Sequence, residues 1–183
     1  MNRIHNTPTD KPDQSIFALL VIDVQQGLFK KSAPIYMADR LLENINALAN
    51  RAHQDGAPVF FIQHSDQKYL LKGSQDWQLH PRLQPLPGDC TMHKQHGDAF
   101  EGTILGEELQ AREINSLVVT GLVTHGCVRA TCLGAKERGY RVILVKDGHS
   151  NYSKKAAALI EEWNGKLEDD GIEVKPAAEV AFC

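Results

Sequence analysis

The sequence predicts an α/β fold: a three-layer, doubly wound, mainly parallel sheet of about six strands with helices on both faces. Three observations predict it. Apolar runs such as "IFALLVIDV" (16–24) and "INSLVVTGL" (114–122) are continuous rather than alternating, which suits strands buried on both faces. Segments with apolar residues at helical spacing lie between such runs. The two kinds of segment alternate along the chain, and that alternation gives parallel strands joined by crossover helices.

The elements follow in order. Residues 1–15 are polar, rich in Pro, Asp and Thr, and have no apolar core of a secretory signal; they read as a mobile arm before a single domain spanning 16–183. The first strand ends at Asp23. In "ADRLLENINALANRAHQDG", Leu41, Leu42, Ile45, Leu48, Ala49 and Ala52 recur at helical spacing, with Gly56 as the stop. "APVFFIQH" is a second buried strand. Residues 65–88 hold three prolines, Trp77 and His80 with little periodicity, and read as a long loop. "CTMHK" is a short third strand. "GTILGEELQARE" is a short helix with Thr103 as its N-cap. After the fourth strand, "THGCVRATCLGAKERGY" reads as a helix with Val128, Cys132 and Ala135 inward and Gly139 at its end. "RVILVKD" is a strand, "SKKAAALIEEWNGKLEDDG" a helix capped by Ser153, and "IEVKPAAEVAF" holds a last strand or edge.

Composition narrows the function. The 183 residues suit one full-sized core. Net charge is −3 without a basic stripe, which argues against nucleic acid as partner. No apolar run approaches the ~18 residues of a membrane span. The cysteines Cys90, Cys127, Cys132 and Cys183 form no C-x-x-C pair, so reduced thiols in a cytoplasm are expected.

Ligands of doubly wound sheets bind beyond the C-terminal strand ends. That rule selects Asp23 after strand one, Lys94 after strand three, and 121–127 after strand four. Cys127 falls where the following helix begins, and a helix N-terminus favours thiolate, the nucleophilic form. Lys94 would lower the thiol pKa further, and Asp23 would carry its proton to a leaving group. Each residue also has a plainer reading: Cys127 and Cys132 as small core side chains, Asp23 as a turn cap, Lys94 as a surface lysine.

Three stretches decide between these readings: "LLVIDVQQGLF", "MHKQHGDAFEGTIL" and "VVTGLVTHGCVRATCLGAKERGYRVILVKDGHS". An Asp followed by V-Q after an apolar strand, a Lys six residues before a Phe, and a G-x-x-T-x-x-C-V-x-x-T helix entry occur in that order. Together they resemble the isochorismatase-like cysteine hydrolases, a superfamily that includes nicotinamidases, N-carbamoylsarcosine amidohydrolase-like enzymes and streptothricin hydrolase. The resemblance spans about 16–151. It implies Asp23 as acid/base, Lys94 as the triad lysine and Cys127 as nucleophile. It also implies a non-proline cis peptide at Leu122–Val123 that brings the Val123 N–H beside that of Cys127 as an oxyanion hole. The reaction implied is hydrolysis of a small carboxamide or related C–N bond through a thioester, without metal or other cofactor, in a homo-oligomer.

Two departures refine this. Members acting on the vinyl ether of isochorismate lack the cysteine, so that activity is not expected. Nicotinamidases carry Asp-x-His after the second strand; here His64-x-Asp66 reverses the order, and His64 reads as a pocket wall rather than a metal ligand. Gln25, Phe29, His64, Trp77, Phe100 and His125 are the candidate substrate contacts, while His80, His93, His96 and His149 read as surface or capping residues. Rival readings are an inactive relic of the fold serving as an interaction protein, a metal-assisted nicotinamidase-type amidase, a nucleotide module, and cysteine redox chemistry. "DVQQGLF" lacks the glycine-rich phosphate turn of a nucleotide module. Cys132, five positions along, points ~140° away from Cys127, against a disulfide between them.

Overall fold

The computed structural model describes residues 15–183. The arm expected at 1–15 therefore lies outside the described residues, except for Ser15. Among the described residues no helix is long and apolar enough to cross a membrane.

Six strands form one sheet: β1 (Phe17–Ile22), β2 (Val59–His64), β3 (Cys90–Lys94), β4 (Ser116–Leu122), β5 (Arg141–Ser150) and β6 (Glu173–Lys175). Their order across the sheet is β3-β2-β1-β4-β5-β6, and every pair is parallel. The helices are α1 (Ala38–Gln54), α2 (Leu105–Ala111), α3 (Arg129–Glu137) and α4 (Ala156–Asp169). The order reverses between β1 and β4, so these two central strands flank the switch point where the chain winds away in both directions.

All residues of β1 and β4 are buried, as continuous apolar runs require when both faces are covered. Alternate side chains feed two cores. Leu19 and Val21 of β1 pack with Leu41, Leu42, Ile45 and Leu48 of α1 on one face. Ala18, Leu20 and Ile22 pack with Leu105 and Leu109 of α2 and Cys132 and Ala135 of α3 on the other.

Several boundaries differ from the sequence reading. The helix expected from Thr124 begins at Arg129, because Thr124–Val128 forms a wide turn in which Gly126 departs from helical geometry (φ −108°, ψ −113°). Its inward set of Val128, Cys132 and Ala135 is buried as expected. The N-caps are Ile104 for α2 and Lys155 for α4, not Thr103 and Ser153; those two hydroxyls lie just before them and accept the Leu105 and Lys155 N–H groups. β5 runs on to Ser150, past a bulge between Val119 and Gly121 of its neighbour.

Gly121 fixes the close approach of β1 and β4. Its φ is +116°, and a Cβ there would lie 2.1 Å from the Ile22 carbonyl oxygen. That contact holds the ends of β1 and β4, and the residues just beyond them, side by side.

Candidate active site

Asp23, Lys94 and Cys127 arrive at one place from three strand ends. Asp23 follows β1 in a left-handed conformation (φ 52°), with its N–H donating to the Ile62 carbonyl of β2 at 2.8 Å. Lys94 closes β3 and is 1% exposed. Its ammonium donates to Asp23 Oδ2 at 2.9 Å and to the His96 carbonyl at 3.0 Å, and lies 3.3 Å from His64 Nδ1. The plain reading of Lys94 as a surface lysine is thereby excluded. An ammonium withdrawn from water is tolerable only with such partners.

Asp23 Oδ1 is buried without a hydrogen-bond partner. One donor atom each of Asp23, His64 and Cys127 lies within 4.8 Å of the others. The free carboxylate oxygen is thus an open acceptor near the thiol.

Electrostatics correct one sequence expectation. Burial pushes the Cys127 thiol up to about 12, the Asp23 carboxylate adds to the rise, and Lys94 opposes it. That balance favours the thiol over the thiolate at Cys127. The helix-terminus argument fails because α3 starts at Arg129, two residues beyond the sulfur's own residue, and dehydration outweighs what remains of the dipole. Burial also lifts the Asp23 carboxyl above its usual range, with Lys94 opposing. A proton acceptor made more basic in this way sits beside a thiol that must lose a proton.

The turn that carries Cys127 follows a cis peptide at Leu122–Val123. The Val123 carbonyl accepts the Gly126 N–H at 2.9 Å and the Val128 N–H at 3.4 Å, which folds the turn back on itself. Val123 and Cys127 are both half-buried.

The six expected substrate contacts divide. His64 is half-buried and reaches the triad; burial and the Lys94 charge hold its pKa below the ordinary value. His125 is exposed, on the same turn as Cys127. Phe29 is partly buried and lies with its ring 4.3 Å from that of His80. Gln25 is fully buried and structural: its amide donates to the His64 and Trp77 carbonyls (2.9 and 2.7 Å) and accepts the His64 N–H (2.8 Å). Trp77 offers this network its backbone carbonyl, which also accepts from Gln63 at 2.9 Å, while its ring meets His93 edge-on. Phe100 is a core residue stacked near Tyr140 and under Arg138.

His149 also corrects the sequence reading. It is 3% exposed, with both ring nitrogens bonded inside the protein. The sequence signal was its place at the end of a buried strand, directly after Asp147-Gly148. Gln63, near the end of β2, is buried and finds its internal partner in the Trp77 carbonyl.

Asp23, His64 and Cys127 form a three-donor set, yet the Lys94 ammonium lies among them and places positive charge where a cation would bind. Asp66 turns away into its own loop and accepts three backbone N–H groups, from Lys68, Tyr69 and Leu70. Cys132 is fully buried in the core, and all four cysteines are free thiols.

Comparison with known proteins shows which family the chain resembles. The isochorismatase domain model matches residues 17–162. A streptothricin hydrolase of Streptomyces noursei is 32% identical over 157 residues, an alignment covering 85% of this chain and 62% of that protein. A second spans 53% of its own length, so the chain matches little more than half of these curated relatives. An isochorismatase-family protein of Bacillus subtilis is 30% identical over 135 residues, covering 71% of this chain and 75% of its own. A crystal structure of an isochorismatase from Pseudomonas putida superposes with a TM-score of 0.83 at 26% identity, covering 93% and 94% of the two chains.

Proposed function

The chain belongs to the isochorismatase family, and on that premise we propose that it is a cysteine hydrolase of a small carboxamide or related C–N bond. The observation that carries the reading is the buried Lys94–Asp23 pair with a half-buried thiol whose sulfur lies within 4.8 Å of an Asp23 oxygen. An inactive relic needs no such arrangement: a buried ion pair is weak support for stability.

The reaction runs as follows. Asp23 takes the Cys127 proton as the sulfur attacks the carbonyl carbon. The C–S bond forms, and the carbonyl electrons move to oxygen, held by the Val123 and Cys127 N–H groups. Each such donor is worth about 10²–10³ in rate. Collapse breaks the C–N bond, and the departing amine takes the proton from Asp23. Water then attacks the thioester, giving a proton through Asp23 to the leaving sulfur and releasing the acid. Because burial favours the thiol, Asp23 must take its proton before or during the attack. Lys94 keeps Asp23 ionised until it receives that proton. His64, 3.3 Å from the Lys94 ammonium, flanks the same three side chains.

Relatives are named as ureidoacrylate and maleamate amidohydrolases. Those two compounds and other small carboxamides form the test panel, read by ammonia release. Turnover by the wild type and its loss in both Cys127→Ala and Asp23→Asn are expected. Turnover that survives Cys127→Ala would refute the mechanism. We further propose that the protein works in the cytoplasm as a homo-oligomer; only monomer by sedimentation at micromolar concentration would refute the assembly.

A further inference from the structure

The hydroxyl of Thr124 opens the turn that carries Cys127, and it is 1% exposed. It lies 2.9 Å from His149 Nδ1, and His149 Nε2 lies 2.9 Å from Asn164 Oδ1 on α4. The Asn164 amide nitrogen donates to the Lys146 carbonyl at 3.4 Å, which fixes the amide's orientation. Asn164 Oδ1 is then an acceptor, so His149 Nε2 carries the proton. Nδ1 is left as the acceptor, and the Thr124 hydroxyl must donate to it. The Asn151 amide donates to Thr124 Oγ1 at 3.5 Å and completes the set. Each proton in the chain has one direction.

From this geometry we propose that His149, oriented by Asn164, is a positioning residue that holds the Val123–Cys127 turn so that its two N–H groups converge on the oxyanion. The inference rests on the cysteine-hydrolase reading above. His149 pairs in register with Gly121, next to the cis peptide, so the relay braces the turn where it leaves the sheet. Burial lowers the imidazole pKa to about 4, which keeps the ring neutral and Nδ1 free to accept. His149 also borders a cleft of about 270 Å³ between α1 and α4. Both its nitrogens point inward to Thr124 and Asn164, so it offers that cleft neither donor nor acceptor.

Two probes separate positioning from bulk damage. Iodoacetamide alkylates sulfur by direct displacement and forms no oxyanion. p-Nitrophenyl acetate transfers its acetyl group to sulfur through a tetrahedral oxyanion and releases p-nitrophenol. The ratio of acetylation to alkylation at Cys127, read by peptide mass spectrometry, therefore reports the oxyanion hole. His149→Asn places an amide oxygen where Nδ1 was and keeps the Thr124 bond; His149→Gln keeps the Asn164 side instead. The ratio is expected to fall about tenfold or more in His149→Gln, on the scale of a misaligned oxyanion donor. In His149→Asn it is expected to stay within about threefold, the scale of one neutral hydrogen bond. Thr124→Val and Thr124→Ser are expected to repeat the pattern, and they decide the matter if the Gln variant does not fold. Equal ratios in all variants, or equal falls in Asn and Gln, would overturn the positioning role. A wild type that forms no acetyl-Cys127 would instead overturn the nucleophile assignment, and this inference with it.

Discussion

Replacing Lys94 by Met tests the buried ion pair while keeping most of the side chain's volume. Lys94 is 1% exposed and is the one cation hydrogen-bonded to the Asp23 carboxylate among the described residues. Removing it leaves a buried carboxylate unpaired, a change that costs about 3–5 kcal/mol. At about 2–4 °C per kcal/mol for a domain of this size, Tm should fall by about 6–20 °C at neutral pH. The loss should also depend on pH, and its sign follows from Asp23. Burial holds the folded-state pKa above the ordinary 3.8, and without Lys94 the largest opposing influence is gone. A carboxyl with a raised folded pKa is at its most favourable below the unfolded value, and that stability is lost as pH rises through the folded pKa. His64, freed from the Lys94 charge that lowers its pKa, would also protonate more readily in acid, and acts in the same direction. The deficit of Lys94→Met against wild type should therefore be small at pH 4.5 and largest above pH 7. Circular dichroism melts across that range measure it. A deficit independent of pH, or below about 3 °C at neutral pH on the same scale, would refute the assignment of Asp23 as a buried carboxylate held by Lys94.

Other outcomes follow from the same geometry. Alkylation of Cys127 by iodoacetamide should keep accelerating beyond pH 9, because burial and Asp23 push the thiol up to about 12; a plateau near pH 7 would contradict a thiol ground state. Gly121→Ala should abolish soluble protein or cost it most of its stability, since its Cβ would lie 2.1 Å from the Ile22 carbonyl oxygen at a φ of +116°; wild-type melting would refute the close approach. Asp66→Ala should speed tryptic cleavage at Lys68 or Lys72, because three backbone N–H groups lose their acceptor; unchanged digestion would show that the loop does not depend on that cap.

The strands were legible because apolar runs such as Phe17–Ile22 have no polar face, and a chain must cover both sides of them. The meeting of Asp23, Lys94 and Cys127 was legible through topology: parallel strands bring their C-terminal ends together, and each residue ends or follows one. The protonation state of Cys127 was not legible. It depends on how much water packing removes around the sulfur, and a sequence gives only the neighbouring letters. The hydrogen bonds of Gln25 were not legible for a related reason. Its type suits a pocket wall, and its structural role comes from the loop at Trp77, 52 residues away, folding back over the end of β1. His149 was hidden in the same way, since its partner Thr124 lies on another strand's exit and Asn164 on a helix.

The proposed mechanism stands or falls with a covalent thioester on Cys127. The most direct measurement is acid quenching of the protein during turnover of whichever panel carboxamide releases ammonia, followed by peptide mass spectrometry. An adduct with the mass of the acyl group is expected on the peptide bearing Cys127 and is absent from Cys127→Ala. Turnover that proceeds without that adduct and persists in Cys127→Ala would contradict it.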